Sequence, residues 1–140
     1  MSDLYETDAA AWAEQQADAL RRRASNEIDW DNVAEEIDSL ARSDRREIRN
    51  RLAVICEHLL KWEFQTALRS GSWRGSVVEA RDQVARLVQE SPSLRDYPAK
   101  VLAEAYPSGR RKAEAETGLD LPATCPWTIE QLLDHGFWPP

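Results

Sequence analysis

VAEEIDSLARSDRREIRNRLAVICEHLLKW, running from Val33 to Trp62, carries apolar residues at Val33, Ile37, Leu40, Ile48, Leu52, Ile55, Leu59 and Trp62. The steps between them are three and four residues, with one missing position at Asp44, so the stretch reads as amphipathic helix. An extra four-residue step near Asp44 shifts the stripe. An unbroken helix from Asp31 to Gln65 would be about 52 Å long at ~1.5 Å per residue. A compact domain of this chain length has a radius of gyration near ~14 Å. A break at Arg42 to Asp44, with Ser43 as a new N-cap, is therefore the favoured expectation over a long helix that projects or pairs with a second subunit.

Outward from this stretch the helical reading continues. The spacing predicts a first helix from Asp8 to Ala24, capped by Thr7 and docked through Trp12 and Leu20. In IDWDNV, Asp29 is placed to cap the next helix, with Ile28 and Val33 as a hydrophobic staple. After TALRSGSWRGS a helix starts near Trp73 or Ser76 and ends at Glu90, with Val77, Val84, Leu87 and Val88 inward, stopped by Pro92. Another runs from about Ser93 through Val101, Leu102 and Tyr106 and is expected to end or kink at Pro107. A further turn finishes at Gly118. TIEQLLD reads as a short helix with a capping box of Thr128 and Gln131. No period-two segment argues for a sheet. The fold class is all-α: a single domain over residues 1–140, a helical bundle of five to seven helices with a long or broken central helix.

The 140 residues carry a net charge of −7. Residues 1–41 hold eleven acids and three bases, while residues 42–51 hold five arginines and two acids. Nucleic-acid binding through Arg42, Arg45, Arg46, Arg49 and Arg51 is one functional reading, but a phosphate-binding protein normally presents a broader basic face. Pairing of Asp38 with Arg42 and of Glu47 with Arg51 explains most of the cluster. No stretch is apolar enough to span a bilayer. The acidic start lacks the pattern of a secretory leader, which makes the cytoplasm the expected location. Cys56 and Cys125 form no CxxC pair; Cys56 reads as a core residue, and no basic group stands near either in sequence to activate it.

His58 and Glu57 are sequence neighbours about 100° apart on a helix, which argues against a shared acid–base site. A dimetal bundle site needs Glu-x-x-His, and Ile55 and Leu132 stand three before His58 and His135. The nearest approach to a metal or catalytic set is Asp31, Glu35 and His58, as in a metal-dependent enzyme using carboxylates, and it is unconvincing. No GxSxG or phosphate-binding loop occurs. No cofactor is expected. Trp12, Trp62 and Trp73 read as core, while Trp30, Trp127 and Trp138 read as clamps at helix starts and the tail. Trp30, Trp73 and Trp127, with the five arginines, are the candidate interaction residues.

YETDAAAWAEQQADAL, DWDNVAEEIDSL, EHLLKWEFQ, SWRGSVVEARDQVARLVQESPSLR and ETGLDLPATCPWTIEQLLDHGFWP together resemble the bacterial family called domain of unknown function twenty-nine, over about Tyr5 to Pro139. The resemblance implies a small all-helical bacterial domain and supplies no catalytic residues. The matching positions are Asp29, Trp30, Glu35, Glu36, Glu57, His58, Lys61, Trp62, Ser72, Trp73, Arg74, Pro126 and Trp127. The chain departs from the family pattern at Ala9 and Ala10, where aromatics are common, and at Ala41, where glycine is usual. The expected function is a non-enzymatic helical module that binds a protein partner or itself.

Overall fold

The computed structural model describes residues 3–140. Among these, six α-helices and no strand are found: α1 (Leu4–Thr7), α2 (Ala9–Arg21), α3 (Trp30–Phe64), α4 (Gly71–Glu90), α5 (Tyr97–Thr117) and α6 (Ile129–Leu133). Short 3-10 turns occupy Ser25–Glu27, Thr66–Leu68 and Pro92–Leu94. The all-α class is confirmed. The chain's contacts gather into two compact units, Met1–Ser43 and Asp44–Pro140.

The expected break in the central helix is absent: α3 runs without interruption from Trp30 to Phe64. It contains neither glycine nor proline, so nothing in the backbone forces an end. Arg42, at the start of the anticipated junction, is hydrogen-bonded back along the same helix to Glu35 Oε1 at 2.6 Å and Ser39 Oγ at 3.0 Å. The missing apolar position at Asp44 instead coincides with the boundary between the two units. A compact-domain length limit does not apply to a helix that contributes to two units.

In the first unit, the expected N-cap at Thr7 moves by one residue and the helix start from Asp8 to Ala9. Asp8 is the N-cap of α2, accepting from the Ala11 amide at 3.0 Å. Its burial also differs from the expectation: Trp12, Gln16 and Ala19 are buried while Leu20 is exposed. Polar contacts fix this face. The Gln16 carboxamide accepts from the Asp29 amide at 2.7 Å, and the Trp12 indole donates to Asp29 Oδ2 at 3.1 Å. Asn32 Nδ2 donates to the same oxygen at 2.8 Å. Leu20 is left outside because α2 rests on the residues leading into α3.

In the second unit, one core joins Ile48, Leu52, Ile55, Leu59 and Leu60 of α3 to Val77, Ala80 and Val84 of α4, Val101, Ala105 and Tyr106 of α5, and Leu132 of α6. The capping box of Thr128 and Gln131 is present. Gly118 ends α5 in the left-handed conformation at φ 72°, which costs glycine no steric penalty. Pro107 does not end α5. Pro107 and Ala103, whose carbonyl loses its helical donor, are both exposed, and solvent takes the freed acceptor.

Gly109 sets how closely α3 and α5 approach. A Cβ there would run into the Ala53 carbonyl oxygen and lie 3.0 Å from the Glu57 amide nitrogen and 3.1 Å from Cys56 Cβ. Gly109→Ala gains helix propensity worth about 1 kcal/mol but forces two backbones apart. The expected outcome is a net loss of about 1–3 kcal/mol in urea unfolding. An unchanged or raised midpoint contradicts the close approach.

Candidate functional site

Toward the C-terminal end of α3 the helix is buried on more than one side, which brings in charged residues as well as apolar ones. Glu57 and Lys61 are 5% and 7% exposed. The Lys61 ammonium lies 3.6 Å from Glu57 Oε2 and donates to Glu116 Oε2 on α5 at 2.6 Å. It also sits 5.1 Å from the centre of the Trp73 ring on α4. Three helices thus meet on one cation. The hydrogen bond from Lys61 is the leading cause that holds the Glu116 carboxyl below the usual carboxylate range.

The separation of Glu57 from His58 expected from the helical wheel is corrected by this geometry. Glu57 Oε2 lies 3.9 Å from His58 Nε2, because a long side chain can turn back across the angle between neighbouring positions. The gap is too long for a hydrogen bond. His58 Nδ1 is 2.9 Å from the Val54 carbonyl of its own helix, an arrangement satisfied by Nδ1–H as donor. This hydrogen bond is made within α3.

The other candidates are dispersed. Glu35 is exposed and paired with Arg42, replacing the expected Asp38–Arg42 pair. Asp31 is exposed. Among the described residues no group of three or more His, Cys, Asp or Glu side chains is placed to hold a metal ion. Arg51 pairs with Glu47 at 2.7 Å, as the spacing predicts. Arg45 lies over Tyr97 at 5.9 Å, Arg46 is exposed, and Arg49 lines a cleft of about 280 Å³ with Asn50, Ala53, Glu104 and Ser108. No helix is long and apolar enough to cross a membrane among the described residues.

The tryptophans divide differently from the sequence expectation. Trp73 is half-buried beneath Lys61, whereas Trp127 is buried in the core. Trp30 is exposed and donates to the Ser25 carbonyl at 3.2 Å. The Trp62 and Trp138 rings meet at a tilt of 49° with their centres 5.0 Å apart. Arg74 lies 5.0 Å and 4.5 Å from these two rings, and Arg69 lies 4.7 Å from Trp62. These contacts bind the FWPP segment to α3 and α4.

Sequence reasoning missed Arg81. It is 1% exposed in α4 and donates to the carbonyls of Leu132 at 2.7 Å, Phe137 at 2.9 Å and Gln131 at 3.4 Å. Burial lowers its pKa, opposed by nearby Asp134. Its position among the apolar residues Val77, Ala80, Val84 and Leu87 at helical spacing was the available signal.

The first unit presents a different surface. Trp12, Ala13, Ala17 and Leu20 of α2 and Val33, Ile37 and Leu40 of α3 line a mainly apolar cleft of about 270 Å³, with Gln16 and Glu36 at its polar positions. Ile37 and Leu40 are 61% and 68% exposed. The apolar stripe that identified the central helix is therefore uncovered in its N-terminal part.

A family model matches residues 4–138, which is nearly the whole chain, and its description is Domain of unknown function DUF29. The chain belongs to this family. Neither the curated proteins nor the solved structures contain a match. The DUF29 match spans both compact units, and in the second the buried Glu57, Lys61 and Trp62 lie with the half-buried His58 and Trp73. In this DUF29 chain that cluster joins α3, α4 and α5 through charge and aromatic contacts.

Proposed function

We propose that this chain is a non-enzymatic interaction module of the bacterial cytoplasm that receives a basic amphipathic helix of a partner protein on the α2–α3 face. The observation carrying this reading is the exposure of Ile37 and Leu40 beside the apolar cleft. Single exposed aliphatic residues are common, but a cleft continuous with two of them fits recognition of a helix through apolar positions spaced three and four apart. Charge favours a basic occupant over another acidic chain: residues 1–41 hold eleven acids against three bases. Such a field attracts Lys and Arg at the edges of the incoming helix.

The reading is tested by titrating the protein with a fluorescent Leu/Lys amphipathic peptide and its Leu/Glu counterpart, with sedimentation of the protein alone in parallel. The basic peptide is expected to saturate the protein and weaken with salt. Combined Ile37→Asp and Leu40→Asp substitution is expected to weaken binding at least about tenfold, since burial of each side chain is worth ~1.5–3 kcal/mol, while leaving the helical circular dichroism unchanged. Equal binding by the double variant overturns the site, and absence of saturable binding overturns the basic partner. A dimer abolished by the same substitutions assigns the face to a second copy and refutes the proposed occupant.

A further inference from the structure

Arg81 has one guanidinium nitrogen that the fold leaves unused. Nε and Nη2 donate to backbone carbonyls in residues 131–137, whereas Nη1 is buried with no hydrogen-bond partner among the described residues. Folded chains pair nearly all of their buried polar groups, so an orphaned donor calls for an explanation. The charge is also incompletely answered. Carbonyl dipoles and the Trp138 ring at 5.2 Å surround the guanidinium, and among the described residues no carboxylate forms an ion pair with it. Asp134, the acid that acts on Arg81, is exposed, and its Oδ1 accepts from the Gly136 amide at 2.9 Å.

Arg81 lines a cleft of about 340 Å³ formed by α4, the start of α5 and the end of α6. Val84, Val88, Pro98 and Leu133 make it mainly apolar, and Arg95 is its second cation. Arg81 is 1% exposed and Arg95 is exposed, so one guanidinium stands at depth and the other at the rim. Among the described residues, Arg95 has no side-chain hydrogen bond or ion pair, and no acidic side chain lines the cleft. The volume falls at the low end of the ~300–1,000 Å³ range of small-molecule sites. Two uncompensated cations beside an apolar wall suit an occupant that is at once anionic and apolar. We propose that this cleft binds a medium-chain aliphatic carboxylate, its head group held by Arg81 and Arg95 and its tail against Val84, Val88, Pro98 and Leu133.

The donors favour this head group over others. A carboxylate offers two charged oxygens to arginine nitrogens, and such charge-assisted bonds are stronger than those between neutral groups. An alcohol leaves both cations uncompensated, and an ammonium ion adds a third. A polyphosphate would bring many charged oxygens against a wall of aliphatic side chains, where most would lose water without gaining a donor. Nη1 is closed to solvent, so the head group reaches it by displacing the half-buried side chain of Val88 or Leu133, which apolar contacts alone hold in place. Each methylene of the tail that enters the cleft tightens binding about threefold to fourfold.

This site is separate from the apolar face of the first unit. Its lining comes entirely from residues 81–133 of the second unit, and its two arginines repel the basic helix assigned to the α2–α3 face. Occupancy also has a structural consequence. Arg81 already holds the carbonyls of Leu132, Gln131 and Phe137, and Leu133 of α6 is part of the wall. A carboxylate bound there fastens α6 more firmly to α4, and a ligand that binds the folded chain alone raises its thermal midpoint.

The test titrates the full chain with octanoate, hexanoate, octanol and octylamine, following binding by calorimetry and the Arg81 Nε–H resonance by NMR. Octanoate is expected to saturate, to shift that resonance and to raise the thermal midpoint. It should bind about tenfold more tightly than hexanoate, which lacks two methylenes, and at least about tenfold more tightly than octanol, which lacks the charge. Arg95→Gln should weaken octanoate about fivefold, because solvent screens this rim cation. Ala85→Phe, which puts a ring into the cleft from an exposed position, should abolish saturation. Arg86→Gln, which removes an arginine paired with Glu90 outside the lining, should leave binding unchanged. Octanol or octylamine binding as tightly as octanoate, full affinity in Arg95→Gln or Ala85→Phe, an Arg81 resonance that stays in place, or no saturation at millimolar octanoate would each overturn the proposal.

Discussion

Arg81→Met lowers the unfolding free energy by about 3–5 kcal/mol, the range for losing several hydrogen bonds to a buried charge. Methionine replaces much of the aliphatic stem but none of the donors. Three carbonyls lose a partner, those of Leu132, Phe137 and Gln131, and the guanidinium 5.2 Å from the Trp138 ring is lost with them. One Arg81 nitrogen, Nη1, is buried without a hydrogen-bond partner, which offsets part of the gain and keeps the expected loss from being larger. Urea unfolding gives the magnitude, and limited proteolysis gives the location. Cleavage within residues 118–137 should rise before cleavage of α3 or α4. A loss under about 1 kcal/mol would mean that the carbonyls find other donors.

Lys61→Met is expected to cost a similar ~3–5 kcal/mol because it breaks a buried pair from one side. Glu57 would remain buried, with His58 Nε2 at 3.9 Å and outside hydrogen-bond distance. Adding Glu57→Gln should recover part of the loss by removing the uncompensated charge. A double variant no more stable than Lys61→Met argues that lost packing against Trp73, rather than the stranded carboxylate, dominates. The pH dependence supplies a second readout. Glu116 has a lowered folded-state pKa, so its contribution is present above the ordinary carboxylate range and lost as pH falls through the folded value. Its side chain is 51% exposed, and solvent screening keeps that contribution small. Thermal midpoints from neutral to acidic pH should fall less steeply in Lys61→Met and in Glu116→Gln than in the wild type.

Periodicity locates Ile48, Leu52, Ile55 and Leu59 correctly because one covered face repeats with the helix. Local hydrogen-bond chemistry also makes the Thr128–Gln131 capping box and the Gly118 C-cap legible. The same reasoning separates Glu57 from His58 by about 100° on the helix and finds no shared site for them. It misses the burial of Glu57 because a second side of α3 is covered, although the Glu57–Lys61 spacing inside the most apolar stretch was a signal of a buried pair. Continuity through Arg42 to Asp44 was misread by imposing a compact-domain length on a helix shared by two units. Arg81 and the Lys61–Glu116 pair depend on residues about fifty and fifty-five positions away. Sequence spacing within one helix carries no information about such partners. Gly109 has the same limitation: its importance comes from the backbone across from it, and its own neighbours Ser108 and Arg110 give no indication.

The Arg81 contacts also impose an order in time. The guanidinium belongs to α4, yet its acceptors lie in residues 131–137, about fifty residues later. At ~5–20 residues per second, those acceptors are synthesised roughly 2.5–10 s after the arginine. During that interval the nascent α4 contains a cation whose final partners do not yet exist, and water must serve it in their place. The native arrangement of the second unit is consequently a late event in synthesis, even though the helix bearing the cation can form much earlier.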